Sequence, residues 1–394
     1  MNRKAVQAFE ATLTVALLMS CREAMVSTAR LHQRWYKTQP GYGLSRPATS
    51  GDLVFFATGD GQIIARKKST GDAVWAAKIS ADQVYGANMV VRGGVLAVAI
   101  IRATVAIDIS TGRELWSYAA PLDTLETAGA GALPGNVARA HLDADSSTVF
   151  IPAWGGSVSA VDLRTGTTHW VWQLGRVPSD TAARAFRSGS QGVSSSGDTV
   201  FATAWHFRDL QGLSSEAWLV AIDRLTGREF WRVVLPAYTG GTLVWGRPAI
   251  AGNLLIFDGR GGHAFAVDRA TQRLAWEYKP QTQNATFAQI ETYDGVVYFD
   301  GGDHYVYALR ATDGTMVWRA PFSSHAAQDL LVTGRRVYFS DGATIYVVDR
   351  LTGRQVASGE QPTAGDSFFG SPAGYSNGQV FVTADNGAWS FDEP

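Results

Sequence analysis

AIDRLTGREFW, residues 221–231, decides the fold, because the same phrase returns six more times. The other copies are ARKKSTGDAVW (65–75), AIDISTGRELW (106–116), AVDLRTGTTHW (160–170), AVDRATQRLAW (266–276), ALRATDGTMVW (308–318) and VVDRLTGRQVA (347–357). Each reads as a small residue, x, Asp, two residues, Thr-Gly, three residues and Trp. A repeat of about forty residues marks supersecondary units that bury a core only by stacking on one another. Within the phrase, Asp hydrogen-bonds the turn backbone, Gly takes the positive φ, and the tryptophan stands on the strand that follows.

Working outward, each unit reads as four antiparallel strands, A to D. In the fifth unit these are 248–250, 254–257, 264–268 and 274–278, separated by Gly, Asn and Asp turns. The tryptophans Trp75, Trp116, Trp170, Trp231, Trp276 and Trp318 are therefore blade residues that fill the gap between neighbours. After 357 come three more strand-like runs, at 370–374, 379–383 and 388–392, and no fourth. The missing strand lies at the other end, in 32–36, where Trp35 precedes Trp75 by one period. The expected fold is thus an all-β, eight-bladed propeller of four-stranded antiparallel blades, its last blade closed by the N-terminal strand so that the ring has no free edge. Two copies deviate: Gln272 replaces the turn glycine and Ala357 the tryptophan, and rearranged turns are expected there.

The 394 residues carry a net charge of −1, which argues against nucleic-acid binding, and 46% hydrophobic content, ample for one large core. Residues 1–20 read as a signal peptide, with Arg3 and Lys4 before the apolar run 11–20. The single cysteine, Cys21, follows Leu18-Met19-Ser20 and resembles a lipobox cysteine, the site of lipidation. An ordinary cleaved signal is the plainer alternative. The expected organisation is 1–20 signal peptide, 21–31 tether and 32–394 propeller. Arg22, rather than Asp, after the cysteine resembles the pattern of outer-membrane lipoproteins facing the periplasm.

Copies end at 75, 116, 170, 231, 276, 318 and 357, and the widest steps lead into blades 3 and 4. The insertions are 120–136, 175–191 and 206–215. All lie in D–A or B–C connections, which emerge on one face of a propeller, where binding commonly sits. Trp154, Trp205 and Trp245 approach that face as a candidate aromatic platform, or else pack loops onto blades. Arg46, Arg187 and Arg247, joined by Arg139, recur near the start of strand A, beside the axis. Blades 1 and 5 face each other across the ring, so Arg46 and Arg247 are expected to converge, offering guanidinium groups to a carboxylate or an acidic partner loop, or pairing with nearby acids. The seven histidines show no metal-ligand spacing. The run 143–147 lacks the glycine and distal glutamate of a calcium loop and reads as a turn.

The A-x-D-x-x-T-G-x-x-x-W repeat resembles the pyrroloquinoline-quinone (PQQ) propeller repeat from Trp35 to the C-terminus. Two families share it. The quinoprotein dehydrogenases bind PQQ and calcium on the axis; the BamB family of outer-membrane assembly lipoproteins has eight blades and no cofactor. Size and lipobox are most similar to the second. That resemblance implies a non-catalytic, lipid-anchored periplasmic scaffold for protein–protein interaction, its partner the periplasmic part of a membrane complex such as the β-barrel assembly machine. The alternatives are a PQQ-binding oxidoreductase, with a tryptophan on the quinone and arginines on its carboxylates, or a propeller module for sugar or peptide.

Overall fold

A computed structural model describes residues 29–38, 46–80, 88–100, 102–121, 141–153, 155–175, 188–207, 215–236, 246–259, 262–280, 289–323, 330–360, 374–384 and 386–394. They form eight sheets, each a four-stranded antiparallel blade ordered A to D, with one extra strand on the seventh. The inner strands of neighbouring blades touch in succession from blade 8 through blades 1 to 7. The fifth blade, Ala249–Ala251, Leu254–Gly259, His263–Asp268 and Arg273–Tyr278, follows the sequence reading closely. Burial explains the alternation. Strands B and C are buried on both faces, whereas D is half exposed at the rim, as in Glu229–Val234.

The repeat phrase has a clear physical job. In five copies the Asp carboxylate accepts the N–H groups two and three residues on; Asp223, for instance, takes Leu225 at 2.9 Å and Thr226 at 2.8 Å. The turn glycine adopts positive φ, and the indole of the preceding blade lies on it. A Cβ added to Gly166 (φ +73°) would stand 2.6 Å from Trp116. The same indole donates to the carbonyl after the motif Asp, as Trp116 does to Leu163 at 3.0 Å. Trp35, Trp75, Trp170, Trp276 and Trp318 make the equivalent bond.

The two deviant copies behave differently. Gln272 keeps the turn, contrary to expectation. It takes φ +56° itself, and its N–H still bonds Asp268 O at 2.7 Å. One blade away, Trp231 is half buried, as Trp75 is over Gly112, but unlike Trp75 it lacks the turn hydrogen bond among the described residues. Ala357 does mark a rearrangement. Blade 7 adjoins blade 8, whose outer strand Gln33–Thr38 pairs with Gly387–Asp392, so no covalent C–D turn exists for an indole to reach. The N-terminal stretch takes that place: Ala29–Arg30 pairs in parallel with Ala357–Ser358, and Leu31 packs where any Cβ on Gly359 would meet it at 2.8 Å. The extra strand was not foreseen. Asp392, at the motif-Asp position, binds His32 Nδ1 (2.7 Å) and Arg34 in place of turn amides.

The insertions around blade 4 build part of a wall. Its strands Ser188–Ser196, Thr199–Phe207 and Ser215–Asp223 are each nine residues long, against six for strand B of each neighbour, and Phe207 still pairs with Ser215. Three added residues lift this blade by about 10 Å on the face of the D–A and B–C connections.

Candidate binding site at the channel mouth

Pairing register identifies one repeat position as the ring around the channel. The motif's leading alanine pairs with a strand B residue, and that with a strand A residue: Ala65–Phe55–Ala48 in blade 1 and Ala266–Ile256–Ala249 in blade 5. Two residues before the strand A partner stand Arg46 and Arg247. The same count gives Asn88 in blade 2, His141 in blade 3, Gly192 in blade 4 and Gln289 in blade 6. All but Gly192 line a cavity of about 290 Å³ at the start of the inner strands, directly after the D–A connections.

Arg46 and Arg247 do converge, and what they converge on is Glu291. Arg46 Nη2 meets its Oε1 at 2.9 Å, and Arg247 Nη2 its Oε2 at 3.7 Å. Arg46 also donates to Leu330 O at 3.0 Å, which ties blades 1, 6 and 7. Across the ring the Gln289 amide meets the His141 imidazole at Nδ1, with Nε2 3.1 Å away. Burial first, then the charges of Arg46 and Arg247, hold the His141 pKa well below the usual histidine range, so the ring is neutral at pH 7. Arg247 is placed by its backbone. Gly192 must be glycine, since a Cβ there would stand 2.4 Å from Arg247 Cα, and Thr203 Oγ1 donates to the adjoining Gly246 O at 3.1 Å.

The other expected site residues fare unevenly. Trp205 is not part of an exposed platform. It is 1% exposed, packed among Leu235, Phe257 and Phe265 between blades 4 and 5, because its place on the lengthened strand turns it toward the next blade. Arg139, Trp154, Arg187, Trp245 and Cys21 lie outside the described residues. The channel position that Arg139 and Arg187 were expected to approach is held by His141 and Gly192. Within the 143–147 run, Asp143–Ala144 is the short strand A of blade 3 and the turn follows it, with Asp145 capping Ser147 and Thr148. Sequence reasoning missed Glu291, His141 and Gln289. Counting back from strand A in every unit would have found the last two.

A ring with this construction has known relatives. A family model described as outer membrane protein assembly factor BamB matches residues 26–208, 154–293 and 288–392. The chain belongs to that family. The outer membrane protein assembly factor BamB of Burkholderia pseudomallei is 25% identical over 358 residues, covering 88% of this chain and 83% of its own length. Among solved structures, BamB from Moraxella catarrhalis aligns with a TM-score of 0.58 at 19% identity, over 80% of this chain and 93% of that one. The quinohemoprotein alcohol dehydrogenase ADHIIG from Pseudomonas putida HK5 aligns at 0.69 with 12% identity, over 92% and 76%. At such identities these two structures speak for the propeller alone.

Proposed function

We propose that this BamB-family propeller is a lipid-anchored periplasmic scaffold for outer-membrane protein assembly, acting by docking a partner on the face of the D–A and B–C connections. The observation that carries the reading is the family match, which runs through all eight blades from 26 to 392. The raised blade 4 and the charged channel mouth lie on the proposed docking face, and Cys21 supplies the anchor at the outer membrane. Crosslinking the native membrane-bound protein and identifying its partners by mass spectrometry tests this. Strong enrichment of an outer-membrane barrel with periplasmic domains is expected; its absence overturns the reading. Cys21→Ala should release the protein from the membrane fraction.

The quinoprotein alternative meets the described lining poorly. A calcium–quinone pair needs several carboxylate and carbonyl donors. The described lining offers one carboxylate, Glu291, with an arginine facing each oxygen. No group of three His, Cys, Asp or Glu side chains able to hold a metal occurs among the described residues. Titration with PQQ and calcium should leave the quinone absorbance unshifted, and a saturable shift would restore that alternative.

A further inference from the structure

We infer that the channel mouth is a receptor for one acidic side chain of an extended partner segment, with Glu291 as its resident stand-in. This rests on the scaffold reading and names the chemistry of the docked element.

The geometry already shows a carboxylate held in the way a ligand would be. Two arginines, contributed by blades 1 and 5, address the two oxygens of one carboxylate from blade 6. Opposed guanidinium groups suit a planar two-oxygen acceptor and discriminate it from a single-point anion site. Among the described residues the charge does not balance, however. The ionised lining groups described are Arg46, Arg247 and Glu291, two positive and one negative, because His141 is neutral. Arg247 carries the excess. Its guanidinium has one polar partner among the described residues, Glu291 at 3.7 Å, which is too long for a hydrogen bond, and its side chain is 37% exposed. Its backbone is nonetheless fixed against Gly192, so the side chain starts from a set position at the mouth.

Size selects the occupant. At about 290 Å³ the cavity is at the small end of ligand pockets. It admits a side chain and its immediate neighbours, not a folded element. It also sits at the foot of the raised blade 4, where an extended segment passing over the mouth would be guided. An acid on such a segment meets Arg247 first and shares or displaces Glu291 at Arg46.

The test uses the full-length protein and an end-blocked tetra-aspartate peptide, followed by calorimetry, with succinate and inorganic phosphate as separate arms. Saturable peptide binding that weakens with salt is expected. Arg247→Gln should weaken it at least tenfold. Glu291→Gln, which removes the resident competitor and raises the lining charge, should tighten it several-fold. A gain cannot come from misfolding, so that variant keeps the inference testable if arginine variants prove unstable. Equal binding by wild type and either variant overturns it, as does no binding by Glu291→Gln at millimolar peptide. Phosphate binding as tightly as the peptide overturns the carboxylate assignment; succinate binding without peptide binding overturns the partner-segment source. If crosslinked partner is recovered undiminished with Arg247→Gln, this inference falls and the scaffold reading stands. If wild type recovers no partner, the scaffold reading falls, while the titration still reports on the mouth.

Discussion

Six junctions of the ring lay an indole on a glycine, and the junction between blades 7 and 8 does neither. At the six, the turn glycine leaves room for the neighbour's ring and the carbonyl that follows the Asp position accepts the indole N–H; at four of them Asp108, Asp162, Asp223 and Asp349 also cap the turn backbone. In the eighth blade the covalent C–D turn is missing, because its outer strand comes from the N-terminal side of the chain. Ala357 removes the indole, Leu31 and the Ala29–Arg30 strand fill its place, and Asp392 holds His32 and Arg34 instead of turn amides. The junction of blades 4 and 5 is intermediate, with Trp231 facing Gln272. An irregular letter in a repeat can thus record a change in its neighbour rather than in itself.

The sharpest break of this comparison is Trp116→Ala. Its ring is buried between blades 2 and 3, and a loss of about 3–5 kcal/mol is expected in urea unfolding. A loss below 1 kcal/mol would show that the junction does not depend on the indole. Next, Ala357→Trp restores the repeat letter and should still destabilise, by about 1–3 kcal/mol, because the space is taken. An increase in melting temperature would mean that the closure has room for both. Gly166→Ala combines a left-handed backbone with a ring contact and should remove about 2 kcal/mol. Gln272→Gly should do the reverse, adding about 0.5–1 kcal/mol and changing Trp231 emission as its indole gains the turn hydrogen bond; unchanged emission would show that Gln272 is not what keeps that bond from forming. The smallest effect concerns acid. Backbone and hydroxyl bonds from Thr226 hold the Asp223 carboxyl below the usual carboxylate range, and the turn aspartates 108, 162, 268 and 349 are also lowered. A depressed carboxyl pKa gives stability that is present above about pH 4 and lost as pH falls through the folded value. Asp223→Asn keeps the capping oxygen without the titration, so its stability should fall less steeply between pH 5 and 3 than that of the wild type.

The fold was legible because its determinants are local. The turn, its glycine and the following tryptophan occupy eleven residues, and the missing fourth strand at 392 pointed to Trp35. The site was half legible. Arg46 and Arg247 stood out by type, and opposite blades implied their meeting. Glu291 did not, since nothing in its neighbourhood announces that an arginine 245 positions away will reach it. Trp205 was misread because burial depends on which way the lengthened strand of blade 4 faces, and pairing register, not residue type, determines that. Gln272 was misread because a polar residue can adopt positive φ when the rest of the turn enforces it.

The parallel strand at Ala29–Arg30 also has a mechanical meaning. Chain entering the propeller meets the edge of blade 7 before it reaches the strand that closes blade 8. A pull along the strand from the N-terminal side loads the bonds of Ala29–Leu31 to Ala357–Ser358 together, in shear, where a perpendicular pull would open them one at a time. Blade 7 thus takes strain ahead of the non-covalent seam that closes blade 8, in the manner of a cable clamped to its housing before the connector.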